Sequence, residues 1–185
     1  MILKKFLKTS GIVGVFLLGV VPVIAATNGD LKNYRETFRE YRDSRAEYEL
    51  AKEKYNKLGT LAARDDVMIA TKGFLGDGLA VLKEYLDVLL VSVLGNSNAR
   101  AESKGLVVEI LTNDISLYNN YQNIVESSGS LPRLVTISQQ IDNAYKEGEV
   151  NAELANAVLI TANMSALQKE ISATAAEVKA TVEND

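Results

Sequence analysis

Tyr34, Tyr41, Tyr48 and Tyr55 stand seven residues apart, so half of the chain's eight tyrosines fall in one short stretch. On a helix they lie on nearly one line, drifting by about 20° per heptad. Phenol rings aligned in this way have two uses. They can form an aromatic ladder on which glycan rings or another flat ligand stack, or an inward seam whose hydroxyls reach solvent at the edge of a bundle. Leu31 and Phe38 share the stripe, which favours the seam. Arg35, Arg39 and Arg42 fall together on another face of the same stretch. A basic face can dock an anionic envelope polymer, a lipid surface or a partner. Interleaved Glu and Asp favour the plainer reading, a solvated face neutralised by its own acids. These four tyrosines and three arginines are the candidate interaction surface.

Other chemistry is bounded by what the 185 residues lack, since the chain contains no His, Cys or Trp. That excludes Ser-His-Asp and Cys-His nucleophiles, thiolate or imidazole metal sites, ordinary axial haem ligands and disulfides. No EF-hand pattern occurs, and the Glu-x-x-His element of di-iron bundles cannot exist without His. Asp65/Asp66 and Asp77/Gly78 read as a helix start and a flexible point. Glycoside hydrolysis needs two carboxylates about 5 to 10 Å apart across a cleft, a spacing that many Glu pairs on a helical bundle meet by accident. No Ser-x-x-Lys element is present, and Gly73, Gly76 and Gly78 accompany no phosphate-loop pattern. The sequon Asn163-Met164-Ser165 reads as incidental on a helix. No catalytic residue, cofactor site or metal ligand is nominated, and the expectation is a protein that is not an enzyme.

The N-terminus carries Lys4, Lys5 and Lys8 and then an uncharged run from Gly11 that closes on Ala25 and Ala26. This is the order of a signal peptide, with Val23 and Ala25 placing cleavage after residue 25. A retained anchor is the alternative, but the run of 16 residues to Ala26 falls short of the roughly 20 that a spanning helix needs. Either way residues 26–185 are expected outside the cytoplasm as a single helical-bundle domain: periplasmic, extracellular or in the cell envelope. Membrane association follows only if the N-terminal segment is retained. Removing residues 1–25 leaves 17 basic against 24 acidic residues, a net charge of −7, which is no footprint for nucleic acid.

The rest of the chain has one proline, Pro132, and period-3.6 patterning throughout, so the fold class is all-α. A first helix is expected from Asp30 to Leu58, capped through Thr27, Asn28 or Asp30 and closed by Gly59. It holds eight basic and seven acidic residues, leaving nine basic against 17 acidic from residue 59 onward, so it is the only positive-leaning element. Opposite charges in helical register at Lys32/Glu36, Arg39/Asp43, Arg45/Glu49 and Glu53/Lys57 support it by about 0.2 to 0.5 kcal/mol per pair. A second helix, starting near Asp65 and Asp66, carries Leu75, Leu79, Leu82, Leu86, Leu89 and Val93 with a broad apolar surface beside them, which suits a central position. A third runs from about Asn98 to Glu126 with two apolar stripes, and packs against two neighbours. A short fourth segment follows Pro132 and reaches Lys146 through Leu134, Ile137, Ile141 and Tyr145.

Gly148 then breaks the run. From Val150 a last helix places Val150, Ala157, Met164, Ile171 and Val178 seven apart, with Leu154, Thr161, Gln168, Ala175 and Val182 between them, a coiled-coil-like seam. Its roughly 34 residues span about 50 Å, against about 45 Å for each of the first three. Matched lengths and short connections predict an antiparallel bundle of four long helices plus one short helix. Continuation through Gly148 as one helix of about 50 residues is the alternative, and it projects well beyond the others.

Between Tyr34 and Leu75 the sequence runs Tyr-x3-Phe-x2-Tyr, Tyr48-x2-Ala51-x3-Tyr55, Gly59-Thr60-Leu61 and Ala70-Thr71-Lys72-x-Phe74-Leu75. This stretch resembles uncharacterised secreted all-helical proteins of candidate-phylum bacteria. The resemblance implies export and helices and assigns no activity. The expected function is that of a non-enzymatic exported bundle acting through protein–protein or envelope contacts, with self-association among them. The alternative is a binding module, either a sensor-like ligand-binding bundle or a periplasmic holdase chaperone.

Overall fold

The computed structural model describes residues 28–183. The signal peptide and its cleavage point lie outside the described residues. Four α-helices and no strands make up the described chain: α1 Asn28–Leu58, α2 Leu61–Gly95, α3 Ala101–Ser127 and α4 Leu131–Glu183.

The all-α expectation holds, and so does the stop at Leu58. Gly59 takes φ +60, the left-handed conformation that ends a helix without a Cβ penalty, and its N–H donates to the Tyr55 carbonyl at 2.9 Å. The next helix starts earlier than Asp65. Thr60 caps α2, its hydroxyl accepting from the Ala63 N–H at 3.2 Å, so the chain reverses across Gly59 and Thr60 alone. Asp66, freed from a capping role, pairs with Lys54 across the hairpin at 2.6 Å. Of the spaced pairs on α1, Lys32–Glu36 (3.7 Å) and Glu53–Lys57 (2.6 Å) form, whereas Glu49 takes Lys52 at 2.8 Å rather than Arg45.

Consecutive helices run antiparallel, and α2 is the central one. It packs along α1 on one side and along α3 and α4 on the other, while among the described residues α1 makes extended contact with α2 alone. The molecule is therefore a three-helix core of α2, α3 and α4 with α1 laid against the outside of α2. Apolar residues around most of α2 make that arrangement possible, with Val67, Leu79, Leu82, Leu86, Leu89 and Val93 all buried. Lysines close two helix ends: Lys104 donates to the Leu94 carbonyl at 2.6 Å and Lys72 to the Glu126 carbonyl at 2.9 Å. No described helix is long and apolar enough to cross a membrane.

The four-long-plus-one-short count is corrected by α4, which runs 53 residues without interruption through Gly148. At that point α3 crosses close to α4. The Tyr118 hydroxyl lies where a Cβ on residue 148 would sit, so the glycine serves a helix contact and not a helix end. Continuity carries the inward stripe of Leu134, Ile137, Ile141 and Tyr145 on through Gly148, Ala152, Ala155, Leu159 and Ala162, all buried. At 1.5 Å per residue α4 is about 80 Å long. Ala162 is its last buried residue, and every residue from Leu167 to Val182 is exposed.

Candidate functional site

The tyrosine line on α1 is brought together as expected and spent on packing. Tyr41 and Tyr48 are 3% and 1% exposed. Phe74 of α2 stands between them, its ring centroid 5.5 Å from that of Tyr41 and 5.1 Å from that of Tyr48, with the latter pair stacked nearly parallel at 9°. Gly78 lets the Tyr41 ring approach α2 at 3.5 Å from where a Cβ would stand. Tyr34 rests on Phe38 at 6.4 Å and on Tyr85 at 6.3 Å, and half-buried Tyr55 packs against the core. These contacts form an aromatic zipper between α1 and α2 worth about 0.5 to 1.5 kcal/mol per ring pair beyond burial. The Tyr41 and Tyr48 faces are thereby occupied by protein, which favours the seam over the ligand ladder.

The hydroxyls follow from that burial. Burial pushes Tyr34, Tyr41 and Tyr48 above the ordinary phenol range, with nearby Tyr85 and Glu49 adding to the rise at Tyr34 and Tyr48 and Arg45 opposing it at Tyr41. Arg45, four residues on from Tyr41 along α1, is thus close enough to act on the Tyr41 hydroxyl. Arg35, Arg39 and Arg42 are exposed, as their spacing predicts. The Arg42 guanidinium lies 5.7 Å over the Phe38 ring, a cation–π contact that ties part of this face to the zipper.

Two polar clusters remain. Between α3 and α4 the Asp114 carboxylate accepts from the Asn151 amide at 2.8 Å, and beside it the buried Tyr118 hydroxyl faces the Ala144 carbonyl at 3.4 Å. Burial raises the Asp114 pKa, Asn151 opposes this, and Glu147 adds to it. Asp114 is a helix-to-helix tether whose partner exists only because α4 is continuous. A shallow groove between the α2–α3 connection and α4 is lined by Asn98, Arg100, Ser103, Thr161, Ser165 and Gln168. Among the described residues no three acidic side chains converge as a metal site would require.

The feature not expected from the residues is the position of the coiled-coil-like seam. Its large apolar residues face away from α2 and α3, while Thr161 and Gln168 stand at its edge along the groove beside the α2–α3 connection. Val150, Leu154, Ile160, Met164, Leu167, Ile171, Val178 and Val182 are 39% to 71% exposed, on the side of α4 nearly opposite its buried stripe. A break at Gly148 leaves the 150-to-182 seam as the only apolar face of its helix and turns it inward. The signal to the contrary was present in Gly148, Ala152, Ala155 and Leu159, which continue the 134-to-145 stripe at three- and four-residue steps. Its small residues, Gly148, Ala152 and Ala155, give that stripe little apolar weight. No family model matches the chain, and no curated protein or solved structure is significantly similar to it.

Proposed function

We propose that the chain is a non-enzymatic, exported helical-bundle protein that acts through protein–protein contacts, and that the outer face of α4 is where it makes them. The observation carrying this is the exposed apolar seam from Val150 to Val182 on a helix that continues past its own core. Soluble monomers rarely leave contiguous apolar strips of this size uncovered. The absence of His and Cys from the sequence supports the non-enzymatic part, and the charge order of residues 1–25 supports export. Arg35, Arg39 and Arg42 offer a secondary, electrostatic contact for an anionic envelope polymer.

The test is a photo-crosslinking residue placed in turn at Leu167, Ile171 and Ala173 in the native envelope. Leu167 and Ile171 should yield discrete protein adducts and Ala173, on the far side of the helix, should not. Equal yields at all three positions, or no adduct at any, would remove the reading. The same arm also favours a holdase as the second reading, because an exposed apolar helix can grip unfolded clients. In that case the purified chain suppresses client aggregation stoichiometrically and Ile171→Asp abolishes the effect.

A further inference from the structure

Resting on that reading, we infer that the partner of the α4 seam is the same seam on a second copy of this chain, paired parallel and in register. The seam repeats every seven residues over more than four heptads, from Val150 to Val182, which identifies its partner as another helix. In heptad terms the Leu154 series occupies the a positions and the Val150 series the d positions.

The polar residues in the seam select both the occupant and its direction. All five d residues are apolar, whereas Thr161 and Gln168 stand at a. A parallel in-register pair sets each a residue against its own copy, so the Gln168 amide meets an identical amide that both donates and accepts. An antiparallel pair sets a against d and leaves that amide facing an apolar side chain with its hydrogen bonds unmade. A purely apolar partner helix has the same defect, and a second copy in register does not.

Charge and size agree. From Leu154 to Val182 the a, d, e and g positions hold one charged residue, Lys179 at e, which a parallel pair sets against uncharged Thr174 at g, so no like charges are opposed along the pairing face. A membrane surface is a poorer occupant, because helices that lie on lipid are rich in Lys and Arg on their polar side. Here Lys169 and Lys179 are matched by Glu170 and Glu177. The large apolar residues of the seam expose on the order of 800 Å², about what each partner contributes to a standard interface. The buried stripe of α4 lies about 150° around the helix from the seam's centre, so each core is carried on the outer side of the pair, with the α2–α3 connection at its edge beside Thr161 and Gln168.

The natural absence of cysteine makes the register directly readable. Sedimentation of the purified full chain should show a reversible monomer–dimer equilibrium. Ile171→Asp should weaken it at least about 100-fold, the effect of placing a charge in an apolar helix seam, while Ala173→Glu on the opposite side leaves it unchanged. Gln168→Cys should oxidise to a disulfide-linked dimer and Ala173→Cys should not. A chain that stays monomeric at about 0.5 mM, far above the Kd of a specific interface, overturns the inference, as does a dimer indifferent to Ile171→Asp. A dimer that Ile171→Asp dissolves but Gln168→Cys does not link overturns the parallel register. Adducts at Leu167 in the envelope from a chain that is monomeric alone retire self-pairing and leave the proposed function standing, so the two failures are distinguishable.

Discussion

Phe74, itself only partly buried, is the ring that α2 offers to two buried tyrosines of α1, Tyr41 at 5.5 Å and Tyr48 at 5.1 Å. Phe74→Ala removes both stacks and leaves two buried tyrosines without their partner on α2, and should cost about 2 to 3 kcal/mol in urea unfolding. Tyr55→Ala, at the hairpin end and half-buried, should cost less. The heptad of tyrosines was legible in the sequence because a seven-residue repeat fixes a face whatever the neighbours are. Phe74 as its counterpart was not, since only the two-residue reversal at Gly59 and Thr60 sets the register of α2 against α1. Asp114 carries a second residue-level consequence. A carboxyl whose folded pKa lies above its unfolded value binds its proton more tightly in the folded state. Stability is therefore gained as pH falls through the folded value toward the unfolded one, and that gain is absent above it. Asp114 and Asp87 are both raised, mainly by burial. Asp114→Asn should keep the amide bond to Asn151 and flatten the rise in stability in the window just above the ordinary aspartate pKa of about 3.9. Melting temperatures at closely spaced pH values check this, and a variant with the parent's pH profile refutes it.

At the scale of the element, α4 shows how one glycine can misdirect a reading. Glycine inside a helix costs about 1 kcal/mol relative to alanine, so a break at Gly148 was the natural expectation. The structure instead places the Tyr118 hydroxyl over that residue, and the lost propensity is exchanged for the approach of α3. Gly148→Ala gains the propensity but drives a methyl group into a buried phenol, with overpacking of about 1 to 3 kcal/mol, so a net loss of stability is expected. Tyr118→Phe removes the offending oxygen and leaves the ring carbon 3.5 Å from the new methyl, an ordinary contact. The double variant should therefore be more stable than the two single changes sum to, by about 1 to 2 kcal/mol, in a double-mutant cycle. Additive changes would mean that the glycine serves no packing purpose. The element's length was open in the sequence, whereas its two-sidedness followed only from continuity: a single helix over residues 131–183 must show one apolar stripe to α2 and α3 and the other to the outside.

For the molecule as a whole, the four-helix expectation assumed that helices of similar length share one core. What forms is a core that ends at Ala162 and a helix that does not. The arm from Leu167 to Val182 buries none of its residues, and in proteins most helical stability comes from packing an amphipathic face rather than from propensity. Its order should therefore depend on what covers the seam, while the core should not depend on it. Truncation after Lys169 tests this separation, because it removes no buried residue and leaves Asn163, whose side-chain oxygen accepts from the Asn96 amide at 3.1 Å, in place. At low protein concentration the truncated chain should unfold in urea within about 0.5 kcal/mol of the parent. At high concentration the parent alone should gain stability with each increase in protein, as mass action on a dimer requires. Hydrogen exchange adds the local readout. Amides from Leu167 onward should exchange quickly in the dilute parent and slowly in the concentrated one, while those of α2 keep their protection throughout. A large loss of core stability on truncation would instead show that the arm folds back on its own bundle.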